Sequence, residues 1–334
     1  MSTTDGITFG HELKEKHFLL GNVYVNMNHG SYGTVPRVVA DRFTTDMMEN
    51  TEARPDDWFR GSVFKYIQTA REQLAAVVNC DVGGLVLVEN ASAAVNSILR
   101  SMGLKRGQKV LRLSTAYGMV IETLDWLRQV ADIEVLVVSV RFPMQDTSQI
   151  VRAVRAALAD LSGYLLSYHI CGNTTFPAVV MPVEELTRVV RDGCPTALVL
   201  IDGAHAPGQI KLDIPAIHAD FYVGNCHKWM YAPKGTAFLW ISPGQRLEHS
   251  PQPTVISCSG KHDIPGRFEY TGTRDYTAFA ALPSSLSFID YLGGFDSVYR
   301  YCHGLAIQGG RYLTELWGTQ LIVSSSFVYA ALLK

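Results

Sequence analysis

Seven short apolar runs recur along the chain, separated by longer stretches, and this alternation limits the possible folds more than any other feature. The runs are "LVLV" (85–88), "KVLRL" (109–113), "EVLVVSV" (134–140), "YLLSY" (164–168), "ALVLID" (197–202), "DFYVG" (220–224) and "TAFLWI" (236–241). They are rich in Val, Leu, Ile and aromatic residues and carry few charges, the pattern of strands buried on both faces. Helix-like pieces fall at 62–79, 91–103, 117–131, 147–160 and 182–192. Repeated strand–helix alternation predicts an α/β fold with a mostly parallel sheet covered by helices. After residue 265 the pattern changes. "YTAFAALPSSLSFIDYL" (276–292) and "VYRYCHGLAIQGGRYLTEL" (298–316) read as helices of a smaller second domain.

Composition narrows the class. With 334 residues, 47% hydrophobic and 18% charged, the chain can bury a large core. Its formal net charge is −2 and it has no basic run, which argues against nucleic acid as a partner. The six cysteines are scattered without a C-x-x-C pair, so neither a disulfide framework nor a zinc site is expected, and a reducing compartment is. "MSTTDGITFGHELKEKHF" lacks the apolar region of a signal peptide, and no apolar run reaches membrane-span length. The expectation is a cytoplasmic protein with no membrane partner.

Ligands of open α/β sheets bind beyond the carboxyl ends of the strands. There the chain places "ENAS" (89–92), "STAYG" (114–118), "HICGN" (169–173), "DGAHAPG" (202–208) and "NCHKW" (225–229). Asp202 ends an apolar strand, and a carboxylate there requires a partner or becomes neutral; capping a following turn would also satisfy it. Lys228 follows the next apolar run, 26 residues on (228 − 202), about the length of one strand–helix–strand unit. Parallel neighbouring strands would bring the two to one edge of the sheet. A lysine in partly apolar surroundings has a lowered pKa and can form a Schiff base. Pyridoxal 5′-phosphate needs such a lysine for its aldehyde and an acid for its ring nitrogen. Asn90 or Ser92 could cap a helix starting near Ala91, whose free N–H groups attract an anion. Tyr117 could stack on a flat ring or pack at a helix start. His205 and His227 could hydrogen-bond a ring oxygen or a phosphate. His29, in the Gly-rich "MNHGSYG", could turn towards a ligand or form a plain turn.

The stretches "VNMNHGSYGTVP" (25–36), "ENASAAVNSIL" (89–99), "TAYGMV" (115–120), "IDGAHAPGQIKLDI" (201–214), "ADFYVGNCHKWMYAPKGTAFLW" (219–240) and "YTGTRDYTAFAALPSSLSFI" (270–289) resemble the class V aminotransferase-like group of fold-type I pyridoxal-phosphate enzymes. Within that group the chain is most similar to isopenicillin N epimerase-like and hercynylcysteine sulfoxide lyase-like members. The resemblance implies that Lys228 carries the cofactor's Schiff base, Asp202 pairs with the pyridine nitrogen and His205 sits by the ring oxygen. It implies that Tyr117 stacks on the ring and that Ala91, Ser92, Asn225 and His227 hold the phosphate. Thr273 would reach the phosphate of a neighbouring subunit in a homodimer with shared active sites. Asn28, His29 and Gly30 would lie near the substrate entrance, with His169 and Asn173 on the substrate side of the ring. Three segments follow: residues 1–35 at the active-site entrance, 36–265 as the large cofactor-binding domain, and 266–334 as a small C-terminal domain, read as incomplete. Family members hold a substrate carboxylate with an arginine from the later part of that domain; this chain has no clear counterpart, and Arg274 is the candidate substitute.

The resulting expectation is an enzyme on an amino-acid substrate, with Lys228 removing the Cα proton. Elimination at Cβ makes it a C–S lyase of a cysteine conjugate or its sulfoxide, the leading reading; reprotonation makes it an epimerase. A desulfurase would need a cysteine on a mobile loop, whereas Cys302 sits in a helix-like run. The alternative of another class is a catalytically silent relative serving as a binding or assembly module.

Overall fold

Among the residues that the computed structural model describes (7–21, 23–144, 146–159, 166–172 as backbone path, 179–246, 251–258 and 263–322), seven strands form one sheet. They are β1 (Leu85–Val88), β2 (Lys109–Leu113), β3 (Glu134–Val138), β4 (Leu166–Gly172), β5 (Leu198–Asp202), β6 (Phe221–Asn225) and β7 (Ala237–Ile241), in the order β1-β7-β6-β5-β4-β2-β3. All seven coincide with the apolar runs to within a few residues. β3, β2, β4, β5 and β6 are parallel neighbours, and β7 runs antiparallel to both β6 and β1. Two reversals leave β1 pointing the same way as β6. The C-terminal ends of β1, β2, β4, β5 and β6 therefore share one edge.

The helices are α1 (His11–His17), α2 (Arg37–Asp46), α3 (Pro55–Asp57), α4 (Val63–Val77), α5 (Ala91–Ser101), α6 (Gly118–Ala131), α7 (Ser148–Ala159), α8 (Val183–Gly193), α9 (Ile264–Glu269), α10 (Thr277–Ala280), α11 (Leu282–Tyr291) and α12 (Gly294–Trp317). They cover both faces. Leu85, Leu87, Leu111, Val199, Ile201, Tyr222 and Phe238 pack with Leu74 of α4, Val154 of α7, Leu186 of α8 and Phe288 of α11. Val86, Val88, Val110, Leu200, Phe221, Val223 and Leu239 pack on the other face with Val95 and Ile98 of α5, Leu124 of α6 and Phe268 of α9. Alternate residues of each strand serve alternate faces, which is why the strands read as continuous apolar runs. Each fully buried aliphatic side chain contributes about 1.5–3 kcal/mol. The edge strand β3 differs. Its Glu134 is exposed and pairs with Lys109 of β2, a charge placement that discourages further strand addition.

One expectation needs correction. The segment joining β5 to β6 is not a helix; among its residues only Pro215–Ile217 form a 3-10 turn. Pro207, Gly208 and Pro215 explain this, since proline lacks the N–H a helix interior needs. The strands are nonetheless parallel neighbours, with Asp202 opposite Val223. No helix among the described residues is long and apolar enough to cross a membrane.

Candidate active site

The shared edge gathers the chemistry. β5 ends on Asp202 and β6 on Asn225, three residues before Lys228. The Lys228 amine lies 2.6 Å from Nε2 of His205. An ammonium has only donors, so His205 accepts at Nε2. Asp202 lies deep in the protein but keeps part of its surface open, and its Oδ1 accepts from the Ala204 N–H at 3.2 Å.

Burial dominates the electrostatics. It lowers the Lys228 pKa to about 8, against a smaller raising effect of Asp202. It raises that of Asp202, with the Ala204 N–H and Lys228 acting in the opposite direction. His205 is pushed down to about 3 by burial, then by Lys228 and His227. The imidazole is therefore neutral near pH 7, and about a tenth of the Lys228 amine is unprotonated and nucleophilic there.

A second cluster faces the start of α5. Asn90 caps this helix, its Oδ1 accepting from the Ala93 N–H at 2.8 Å. Asn225 reaches across from β6, its Oδ1 accepting from the Ala91 N–H at 2.9 Å. Two of the helix's first donors are thus engaged. The Ser92 hydroxyl and N–H make no hydrogen bond among the described residues and are left at an electropositive helix end. His227 donates from Nδ1 to the Thr236 carbonyl at 2.8 Å, which leaves Nε2 for another partner. Burial lowers its pKa to about 4, so Nε2 is an acceptor until an anion supplies the charge that lets it take a proton.

Around this floor the backbone is closely packed. Gly208 has φ +82°, and a Cβ there would lie 2.3 Å from the Trp229 carbonyl oxygen. Gly208→Ala is expected to cost about 2–4 kcal/mol, from the left-handed backbone and the clash together. Chemical denaturation measures it.

Tyr117 precedes α6 and is 61% exposed, so its ring is not part of the core. Thr273 is exposed, bonded to the Tyr270 hydroxyl at 2.8 Å. Arg274 pairs with Glu89 at 3.3 Å beside the end of β1 and lies over the rings of Tyr276 (4.2 Å) and Phe279 (4.8 Å). Gly30 is buried, and Asn28 keeps a buried Oδ1 without a hydrogen-bond partner among the described residues. His169 occupies the middle of β4, opposite Leu111 and Val199, below the strand end at Gly172. Asn173 lies outside the described residues. Sequence reasoning missed the contact of His29 with the Lys228 carbonyl at 2.8 Å and that of His227 with Thr236. The first joins residues 199 apart, and no local pattern announces it.

A partly buried lysine, an open-faced buried carboxylate and a small-residue helix start with an unengaged hydroxyl fit what pyridoxal 5′-phosphate requires of a protein. Comparison with known proteins agrees. The family model described as aminotransferase class-V matches residues 35–327, and the chain belongs to that family. It is 31% identical over 307 residues to a rice relative, of whose length it spans 63%. It is 29% identical over 343 residues to the L-cysteine desulfhydrase-like protein lolT2 of Epichloe uncinata, covering 95% of this chain and 72% of that one. It is 31% identical over 291 residues to isopenicillin N epimerase of Streptomyces clavuligerus (82% and 71% covered). With hercynylcysteine sulfoxide lyase of Schizosaccharomyces pombe it shares 24% over 321 residues (94% and 80%). The apo cysteine desulfurase of Thermococcus onnurineus NA1 has the same fold, with a TM-score of 0.77 at 15% identity, covering 99% of this chain and 82% of that one. The architecture is that of fold-type I.

Proposed function

We propose that the chain is a pyridoxal-phosphate enzyme that cleaves the Cβ–S bond of cysteine or a cysteine conjugate. The observation that carries this reading is the partly dry Lys228 amine at the same sheet edge as Asp202 and 2.6 Å from a neutral His205. When bound, the cofactor supplies an electron-withdrawing ring that stabilises negative charge at the substrate Cα. Lys228 would supply the amine that joins the cofactor's aldehyde and the base for the substrate's Cα proton. The Asp202 carboxyl would face the ring nitrogen and favour its protonated form. His205 keeps the lysine amine oriented through Nε2. Ser92, the Ala91 end of α5, Asn225 and His227 would hold the phosphate. Departure of the sulfur from Cβ then yields sulfide or a thiol, with pyruvate and ammonia after hydrolysis.

Relatives support this choice by name, two of them being a desulfhydrase-like protein and a sulfoxide lyase. The 31% identity to an isopenicillin N epimerase favours a second reading, amino-acid epimerisation. A desulfurase role is disfavoured at Cys302, whose thiol is pushed by burial up to about 11 and is a poor nucleophile. The exposure of Thr273 is consistent with a homodimer in which it faces a neighbouring site.

Incubation with the cofactor, then with L-cysteine or a cysteine S-conjugate, tests the reading. Release of pyruvate and ammonia in equal amounts is expected. Racemisation without release would establish the epimerase instead, and neither reaction would leave a binding role. Capture of the cofactor should quicken with rising pH and level off above a midpoint near 8, because only the neutral amine attacks. Stopped-flow absorbance across pH 6–10 reads this.

A further inference from the structure

We propose that His29 is a positioning residue for Lys228, donating from Nε2 to the Lys228 carbonyl at 2.8 Å and so fixing the peptide from which the amine-bearing side chain extends. A carbonyl only accepts, so the hydrogen is on Nε2. The ring is held in place by Trp229 at 5.0 Å and Tyr231 at 5.5 Å between centroids. Burial lowers its pKa, which keeps it neutral.

The contact is one of several between residues 29–33 and the turn that carries Lys228. A Cβ on Gly33 would lie 2.4 Å from the His227 carbonyl oxygen and 2.6 Å from that of Lys228, so the two backbones touch. Lys234 donates from Nζ to the Gly33 carbonyl at 2.9 Å. The Asn28 carbonyl accepts from the Ser31 and Tyr32 N–H groups at 3.2 and 3.3 Å, which shapes the turn presenting His29. The amine end of Lys228 meets His205 and the charge of Asp202; its backbone end meets His29. A lysine side chain has four flexible bonds, so the amine is held in place only when both ends are fixed, the peptide by His29 and the amine by His205. His29 thus acts from behind Lys228, without touching the reacting atoms.

This inference rests on reading Lys228 as the cofactor-binding lysine, and the test separates the two. Full-length wild type, His29→Gln and His29→Met are compared; Gln and Met have similar length, but only Gln keeps a donor. Competitive acetylation by acetic anhydride across pH, without added cofactor and read by peptide mass spectrometry, reports the midpoint and nucleophilicity of the Lys228 amine. Capture of added pyridoxal 5′-phosphate is timed separately. The Met variant is expected to shift the midpoint from about 8 towards the ordinary lysine range and to slow capture about 5- to 10-fold. Gln should restore most of both. Should Met fail to unfold cooperatively, Gly33→Ala, which presses on the same carbonyls with His29 intact, is expected to give the same shift. A wild-type midpoint and capture rate in Met, or in Gly33→Ala where Met does not fold, would overturn the assignment. Failure of wild type to capture the cofactor would sink the proposed function, while acetylation would still decide the role of His29.

Discussion

Lys228→Ala is expected to abolish covalent attachment of pyridoxal 5′-phosphate and to lower turnover by about 10²–10⁴-fold, the range for losing a positioned base. Loss of the nucleophile adds to loss of the base, because one amine performs both tasks. The variant should still fold. Lys228 lies beyond the end of β6 and is only partly buried, whereas its neighbours Trp229 and Met230 are buried. It should also still bind the cofactor without a covalent bond, since the α5 start, Asn225 and His227 are unchanged. Absorbance after gel filtration, thermal unfolding and product release read these outcomes separately. A variant with wild-type turnover would exclude Lys228 from the chemistry.

Asp202→Asn is expected to change stability and activity in opposite directions. An acid whose folded-state pKa lies above its unfolded value binds its proton more tightly when folded. Stability then falls as pH rises from the unfolded pKa through the folded one. Burial raises the Asp202 pKa, so above that window the folded chain carries a costly charge. Asparagine removes that cost. Without cofactor, Asp202→Asn should be more stable near neutral pH by about 1–2 kcal/mol, with little gain below pH 4. With cofactor, asparagine cannot supply a negative charge to a protonated ring nitrogen. Loss of that charge-assisted hydrogen bond should lower turnover at least about 10- to 100-fold. Denaturation at two pH values and steady-state kinetics check both arms. Such a gain would show that the Asp202 carboxyl is retained at a cost to the fold, as functional groups often are.

These residues also show how far a sequence can be read. The seven strands were legible because burial on both faces forces continuous apolar runs, as "AFLWI" and "FYVGN" illustrate with every position buried. The placement of Asp202 and Lys228 at one sheet edge was legible because Asp202 ends one such run and Lys228 comes shortly after the next. The direction of β7 was not in the runs themselves, but residues 226–236 are too few for a parallel crossover. The 26-residue spacing from Asp202 to Lys228 (228 − 202) matches one strand–helix–strand unit, but Pro207, Gly208 and Pro215 leave only a 3-10 turn between β5 and β6. Tyr117 had equal claims as a stacking ring and as a helix start; the structure leaves it exposed at the start of α6. The His29–Lys228 contact was illegible, because a histidine in a Gly-rich turn carries no mark of a partner 199 residues away.

The central claim is that Lys228 is the residue to which pyridoxal 5′-phosphate becomes attached. Incubating the full-length chain with the cofactor, reducing with borohydride and mapping peptides by mass spectrometry tests it directly. The predicted result is one phosphopyridoxyl group, on Lys228, absent from Lys228→Ala. A label on a different lysine, or no label at all, would contradict it.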